Sequence, residues 1–78
     1  MSKCYVGVQA AFSPEGDIRP LRIEWEDGRI FDIDRVTTVQ RAASLRSGGS
    51  GIRYRCQVGG RWIYLFLEQQ RWFLERAE

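Results

Sequence analysis

The chain has 78 residues, of which 44% are hydrophobic and 28% charged, and a formal net charge of +2. Such a length allows one small domain, residues 1–78, whose single core supplies only about 3 to 5 kcal/mol, and the composition excludes a disordered tail. No apolar run approaches the ~18 residues of a membrane span, and the N-terminus lacks the apolar stretch and cleavage site of a signal peptide.

The first predicted strand runs from Lys3 to Ala11 and is closed by the turn formers of Ser13-Pro14-Glu15-Gly16-Asp17. A second strand follows from about Ile18 to Trp25, and Pro20, having no N–H, belongs at an edge or a bulge of it. The turn at Glu26-Asp27-Gly28 admits two registers. A two-residue loop sets Ile23 against Asp32 and mixes core with solvent. A three-residue loop with Gly28 in the left-handed position pairs Ile23 with Phe31, Leu21 with Ile33 and Arg22 with Asp32. The second register is preferred, because it gathers the apolar side chains on one face and an ion pair on the other.

A fourth strand is expected from Val36 to Ala43, although its alternation is weak, and Ser44 to Gly51 reads as a flexible Gly-rich loop. The clearest element comes next: the Gly59-Gly60 turn joins strands Ile52–Val58 and Arg61–Leu67 and sets their pairing residue by residue. Gln69-Gln70 then returns the chain as Arg71 to Arg76, with Leu67 facing Trp72 and Leu65 facing Leu74. The fold predicted is all-β: a single-domain antiparallel meander of six to seven short strands, curled into a small open barrel or a strongly bent sheet.

Counting outward from Gly59-Gly60 sorts the long hairpin into two faces. Ile52, Tyr54, Cys56, Ile63, Leu65 and Leu67 form a core face, whereas Arg53, Arg55, Gln57, Trp62, Tyr64 and Phe66 form an aromatic and cationic one. Three rings on one solvent-facing surface imply that something covers them: the chain itself, a second subunit or a ligand. Charge is also segregated. Glu15 to Asp34 holds seven acids against three bases, net −4, whereas Arg35 to Leu67 carries six arginines and no acid. Arginine suits bidentate pairing with carboxylate or phosphate and stacking on aromatic rings.

Catalysis finds little support. The chain has no His, so the commonest general base and metal ligand are missing. Asp32 and Asp34 share a strand face, but solvated carboxylates with Asp32 paired to Arg22 explain them better than a cation site or an acid/base pair. Cys4 and Cys56 have no recognisable activating base and read as buried free thiols, which become neighbours only if the first strand pairs near the fifth. The Gly-rich loop lacks P-loop spacing. No catalytic residue, metal or cofactor is therefore expected, and small-ligand chemistry at the barrel mouth is the weakest of the readings.

The run Ile23-Glu24-Trp25-Glu26-Asp27-Gly28-Arg29-Ile30-Phe31-Asp32-Ile33-Asp34-Arg35-Val36 resembles the opening hairpin of a group of short, uncharacterised bacterial proteins. Gly51-Ile52-Arg53-Tyr54-Arg55-Cys56, Tyr64-Leu65-Phe66 and Trp72-Phe73-Leu74-Glu75 are similar as well, extending the likeness from about Ile18 to Glu75. The resemblance implies a bacterial, cytoplasmic protein and supplies no activity or site residue.

Two functions answer the Arg/aromatic face. One is association, with a second copy or a protein partner, through Arg53, Arg55, Gln57, Trp62, Tyr64 and Phe66. The alternative is single-stranded nucleic-acid binding, in which Arg41 and Arg46 join Arg53 and Arg55 on phosphates while the rings stack on bases. Coverage within the chain, with Phe66 against Phe73 and Arg55 held between Tyr64 and Glu75, would satisfy the same residues by cation-π and ion-pair contacts, and such coverage, by the chain itself or by a second subunit, is preferred to nucleic-acid binding.

Overall fold

A computed structural model describes residues 2–43 and 50–76. Seven strands follow one another: β1 (Ser2–Phe12), β2 (Ile18–Glu24), β3 (Ile30–Asp32), β4 (Arg35–Ala43), β5 (Ser50–Val58), β6 (Arg61–Glu68) and β7 (Arg71–Arg76). They form one antiparallel sheet in the order β3-β2-β1-β7-β6-β5-β4. Among the described residues there is no helix, and hence none long and apolar enough to cross a membrane.

Around the sheet, consecutive strands lie side by side except β3 and β4, which form its two edges, and β1 closes onto β7. The sheet is therefore a curled half-barrel with a single seam. Two residues hold one end of that seam together. The Ile33 N–H donates to Leu21 O at 2.9 Å, and the Asp34 N–H donates to Gln57 O at 2.8 Å. The chain thus passes from the edge of β2 to the edge of β5 within two residues, and the seam splays open toward the other end.

Curling is what gives a one-layer sheet a core. Ile23 on β2 packs with Tyr54, Cys56 and Leu65, although three strands separate β2 from β5 in the sheet. Tyr54, Cys56 and Leu65 are all at most 1% exposed with no second layer over them, so the sheet must wrap around their face. The Tyr54 hydroxyl crosses the interior to donate to Ile18 O at 2.6 Å, and its ring lies 5.5 Å from that of Trp72.

The turns follow their residues. Gly59 (φ 57°) and Gly60 (φ 81°) adopt the left-handed pair that a tight hairpin requires, and the expected register holds from Val58↔Arg61 to Ile52↔Leu67. The last hairpin also has a two-residue turn, but there Gln69 and Gln70 take positive φ without being glycine. The Gly28 register is the expected one, with Ile23↔Phe31 and Arg22↔Asp32 paired.

One part of the expectation is corrected. Leu21 does not share the core face with Ile23: it is the extra residue of a bulge between Gln9↔Arg22 and Ala10↔Pro20, and is 45% exposed. The bulge reverses the alternation, so Pro20 turns inward and is buried. A second bulge at Thr37 does the same in β4, placing Val36 and Val39 on one face three residues apart. This is why the fourth strand alternates weakly in sequence. Cys4 and Cys56 are both free thiols, on β1 and β5, with β7 and β6 between those strands.

Candidate functional site

The outer face of β4, β5 and β6 carries the predicted Arg/aromatic set. Cross-strand pairing puts Arg53 opposite Phe66, Arg55 opposite Tyr64 and Gln57 opposite Trp62. The arginines do not lie over the rings directly facing them. Each reaches diagonally: the Arg55 guanidinium sits 4.0 Å from the Trp62 ring centre, and that of Arg53 sits 4.9 Å from Tyr64. Diagonal neighbours of this kind are within reach of a long side chain on a twisted sheet. Arg53 also donates a hydrogen bond to Gln40 on β4. Arg55 is therefore held over Trp62, not between Tyr64 and Glu75 as expected.

The three rings divide into two environments. Phe66 is 9% exposed and stacks on Phe73, with ring centres 5.1 Å apart and an interplanar angle of 8°. Phe73 is itself fully buried, flanked by Tyr5 at 5.6 Å and capped by the Lys3 ammonium, 4.6 Å above its ring. Lys3 continues to a Glu68 carboxylate oxygen at 3.4 Å. Phe66 thus belongs to a packed aromatic layer. Trp62 and Tyr64, by contrast, remain 41% and 49% exposed.

Sequence reasoning missed the continuation of this face onto β7 and β1, where Arg71 stacks 3.7 Å from the Tyr5 ring centre. No local pattern carries that signal, because it depends on β1 pairing with β7 at the far end of the chain. Arg41 is not part of the face. It pairs with Ile52 in register and so lies on the core side, at the seam. Arg46 lies outside the described residues.

Charge pairing separates the two halves of the outer surface. On the β2–β3 arm, Arg22 bonds Asp32 at 2.8 Å and Arg29 bonds Asp27 at 2.7 Å. The Arg29 backbone amide, 3.0 Å from Asp27, is the main cause holding that carboxyl below its usual range. No carboxylate among the described residues pairs with Arg53 or Arg55. Stacking orients a guanidinium while leaving its N–H edge available, the geometry in which Arg recognises a carboxylate or phosphate.

Asp34 is engaged structurally, accepting a hydrogen bond from the Gly59 N–H at 3.1 Å. Burial pushes the Cys56 thiol up to about 11, far from a reactive thiolate, and burial likewise raises Tyr54. Compared with known proteins, the chain matches no family model, no curated protein and no solved structure.

Proposed function

We propose that this protein is a non-enzymatic association module that binds a second copy of itself through the Arg/aromatic face of β4–β6. The observation that carries the reading is the pair of stacks Arg55–Trp62 and Arg53–Tyr64, whose rings are exposed and whose half-buried arginines have no carboxylate partner among the described residues. Arg, Trp and Tyr are the residues that concentrate binding energy in protein interfaces.

A second copy supplies the missing acids. The stretch Glu15 to Asp34 carries net −4 and includes β2 and β3. Within one molecule the two regions adjoin at the closed end of the seam, where the Asp34 N–H reaches Gln57 O, yet no described acid of the arm pairs with Arg53 or Arg55. A two-fold axis between copies would set each acidic arm against the other's basic face, satisfying both at once.

Single-stranded nucleic acid would answer the same arginines but suits the rings less well. Bases would have to displace guanidinium groups already lying on Trp62 and Tyr64, and Phe66 is packed against Phe73. The test is light-scattering mass on a sizing column, with and without a mixed-sequence single-stranded oligonucleotide. A dimer indifferent to the oligonucleotide supports association. A monomer that co-elutes with it assigns the face to nucleic acid instead.

A further inference from the structure

The seam between β2 and β4 opens onto the interior as a cleft of about 440 Å³, a volume in the range of small-molecule sites. Ile18, Val36, Val39, Ile52 and Tyr54 give it an apolar lining. Its one buried polar group is already satisfied, since the Tyr54 hydroxyl donates to Ile18 O. Apolar surface continues outward: Val39 is 59% exposed, and Phe12, which faces Ile18 in register, is 73% exposed. These side chains lie on the face that the rest of the sheet buries, so they are exposed because the seam is open.

The lips of the cleft are charged. Arg41 on β4 lies on the core side, whereas Arg19 on β2, set between the inward Ile18 and Pro20, borders the cleft from its outer lip, and neither side chain has an ion-pair or hydrogen-bond partner among the described residues. Asp17 is the one carboxylate of the lining, leaving its charge at net +1. An apolar trough bordered by two arginines matches a ligand with a hydrocarbon body and an anionic head. A base or sugar would find no exposed ring, because Tyr54 is only 1% exposed.

We propose that the seam cleft binds a single-chain amphiphile with a carboxylate head, of the fatty-acid class, its chain against Val36, Val39 and Ile52 and its head between Arg19 and Arg41. The site is distinct from the Arg53/Trp62 face and does not depend on self-association.

The test is a titration followed by amide nuclear magnetic resonance, using decanoate and decan-1-ol below their aggregation concentrations. Decanoate should shift the amides of Ile18, Val39, Ile52 and Tyr54 saturably and bind at least tenfold more tightly than the alcohol. Arg19→Gln with Arg41→Gln should reduce decanoate to the affinity of the alcohol while leaving the melting temperature unchanged. Val39→Glu, at an exposed edge position that tolerates a charge, should abolish binding of decanoate. The proposal is overturned if the cleft amides do not shift saturably, if acid and alcohol bind equally, or if the shifts concentrate around Arg53 and Trp62.

Discussion

The Asp34 carboxylate accepts a hydrogen bond of 3.1 Å from the Gly59 amide, tying the connection between β3 and β4 to the turn between β5 and β6. The Asp34 backbone N–H binds Gln57 O in the same place. One residue therefore anchors the closed end of the seam twice. Replacing Asp34 by Ala should destabilise the domain by about 1 kcal/mol, the usual contribution of one such bond. Amide exchange at Gly59 should accelerate more than at Leu65. Unchanged protection of Gly59 would show that the carboxylate is not holding the turn.

At the open end, the Tyr54 hydroxyl bonds Ile18 O across the interior at 2.6 Å. Tyr54→Phe keeps the ring against Trp72 but leaves that carbonyl without its side-chain donor, at a cost of about 1 to 3 kcal/mol. The measurement is a urea midpoint together with exchange at Ile18 and Arg19. A variant as stable as the parent, with unaltered exchange in β2, would remove Tyr54 from the account of how the sheet closes.

Gln69 and Gln70 occupy positive φ, at 51° and 67°. That region disfavours residues with a Cβ by roughly 1–2 kcal/mol, partly offset when glycine is introduced because glycine gains freedom in the unfolded chain. Gln69→Asn with Gln70→Gly should therefore raise stability by about 1 kcal/mol, an increase of about 4–8 °C in melting temperature for a domain this small. A fall in melting temperature would mean that the turn has a different geometry in solution.

Burial raises the Cys56 thiol to about 11 from an ordinary 9.0. The unfolded chain loses this proton before the folded one does, so stability falls as pH rises. The thiol's contribution is fully present below pH 9 and is lost between about 9 and 11. Cys56→Ala should flatten the stability curve in that window compared with the parent. In the folded parent at neutral pH, iodoacetamide should label Cys4, which is half-buried, before Cys56, which is fully buried. Equal labelling rates would contradict the burial.

Local turn chemistry made much of this architecture legible. Gly59-Gly60 can be bridged by only one pairing that keeps both strands in phase, so fourteen residues on β5 and β6 follow from counting outward. The Gly28 loop worked in the same way. Leu21 and Thr37 escaped because a bulge changes the alternation without a composition of its own. Their effect is visible only afterwards, in the three-residue spacings Pro20–Ile23 and Val36–Val39. Closure of β1 onto β7 was equally hidden, and with it the cover of Tyr5 and Lys3 over Phe73, although the stack of Phe66 on Phe73 follows from the β6–β7 hairpin as expected. The members of the Arg/aromatic face followed from alternation, but which ring each arginine would cover depended on the twist of the sheet.

If the outer face of β4–β6 is the proposed contact surface between copies, sedimentation equilibrium of the parent and of Arg53→Glu with Arg55→Glu will reveal it. Both arginines lie on the outer face, so the double variant should remain folded by circular dichroism. The parent should be a dimer that weakens as salt is raised from about 0.05 to 0.5 M, because screening shortens the reach of its charge pairs. The variant should be a monomer throughout. A parent that stays monomeric at low salt and high concentration, or a variant that dimerises as tightly as the parent, would contradict the proposal.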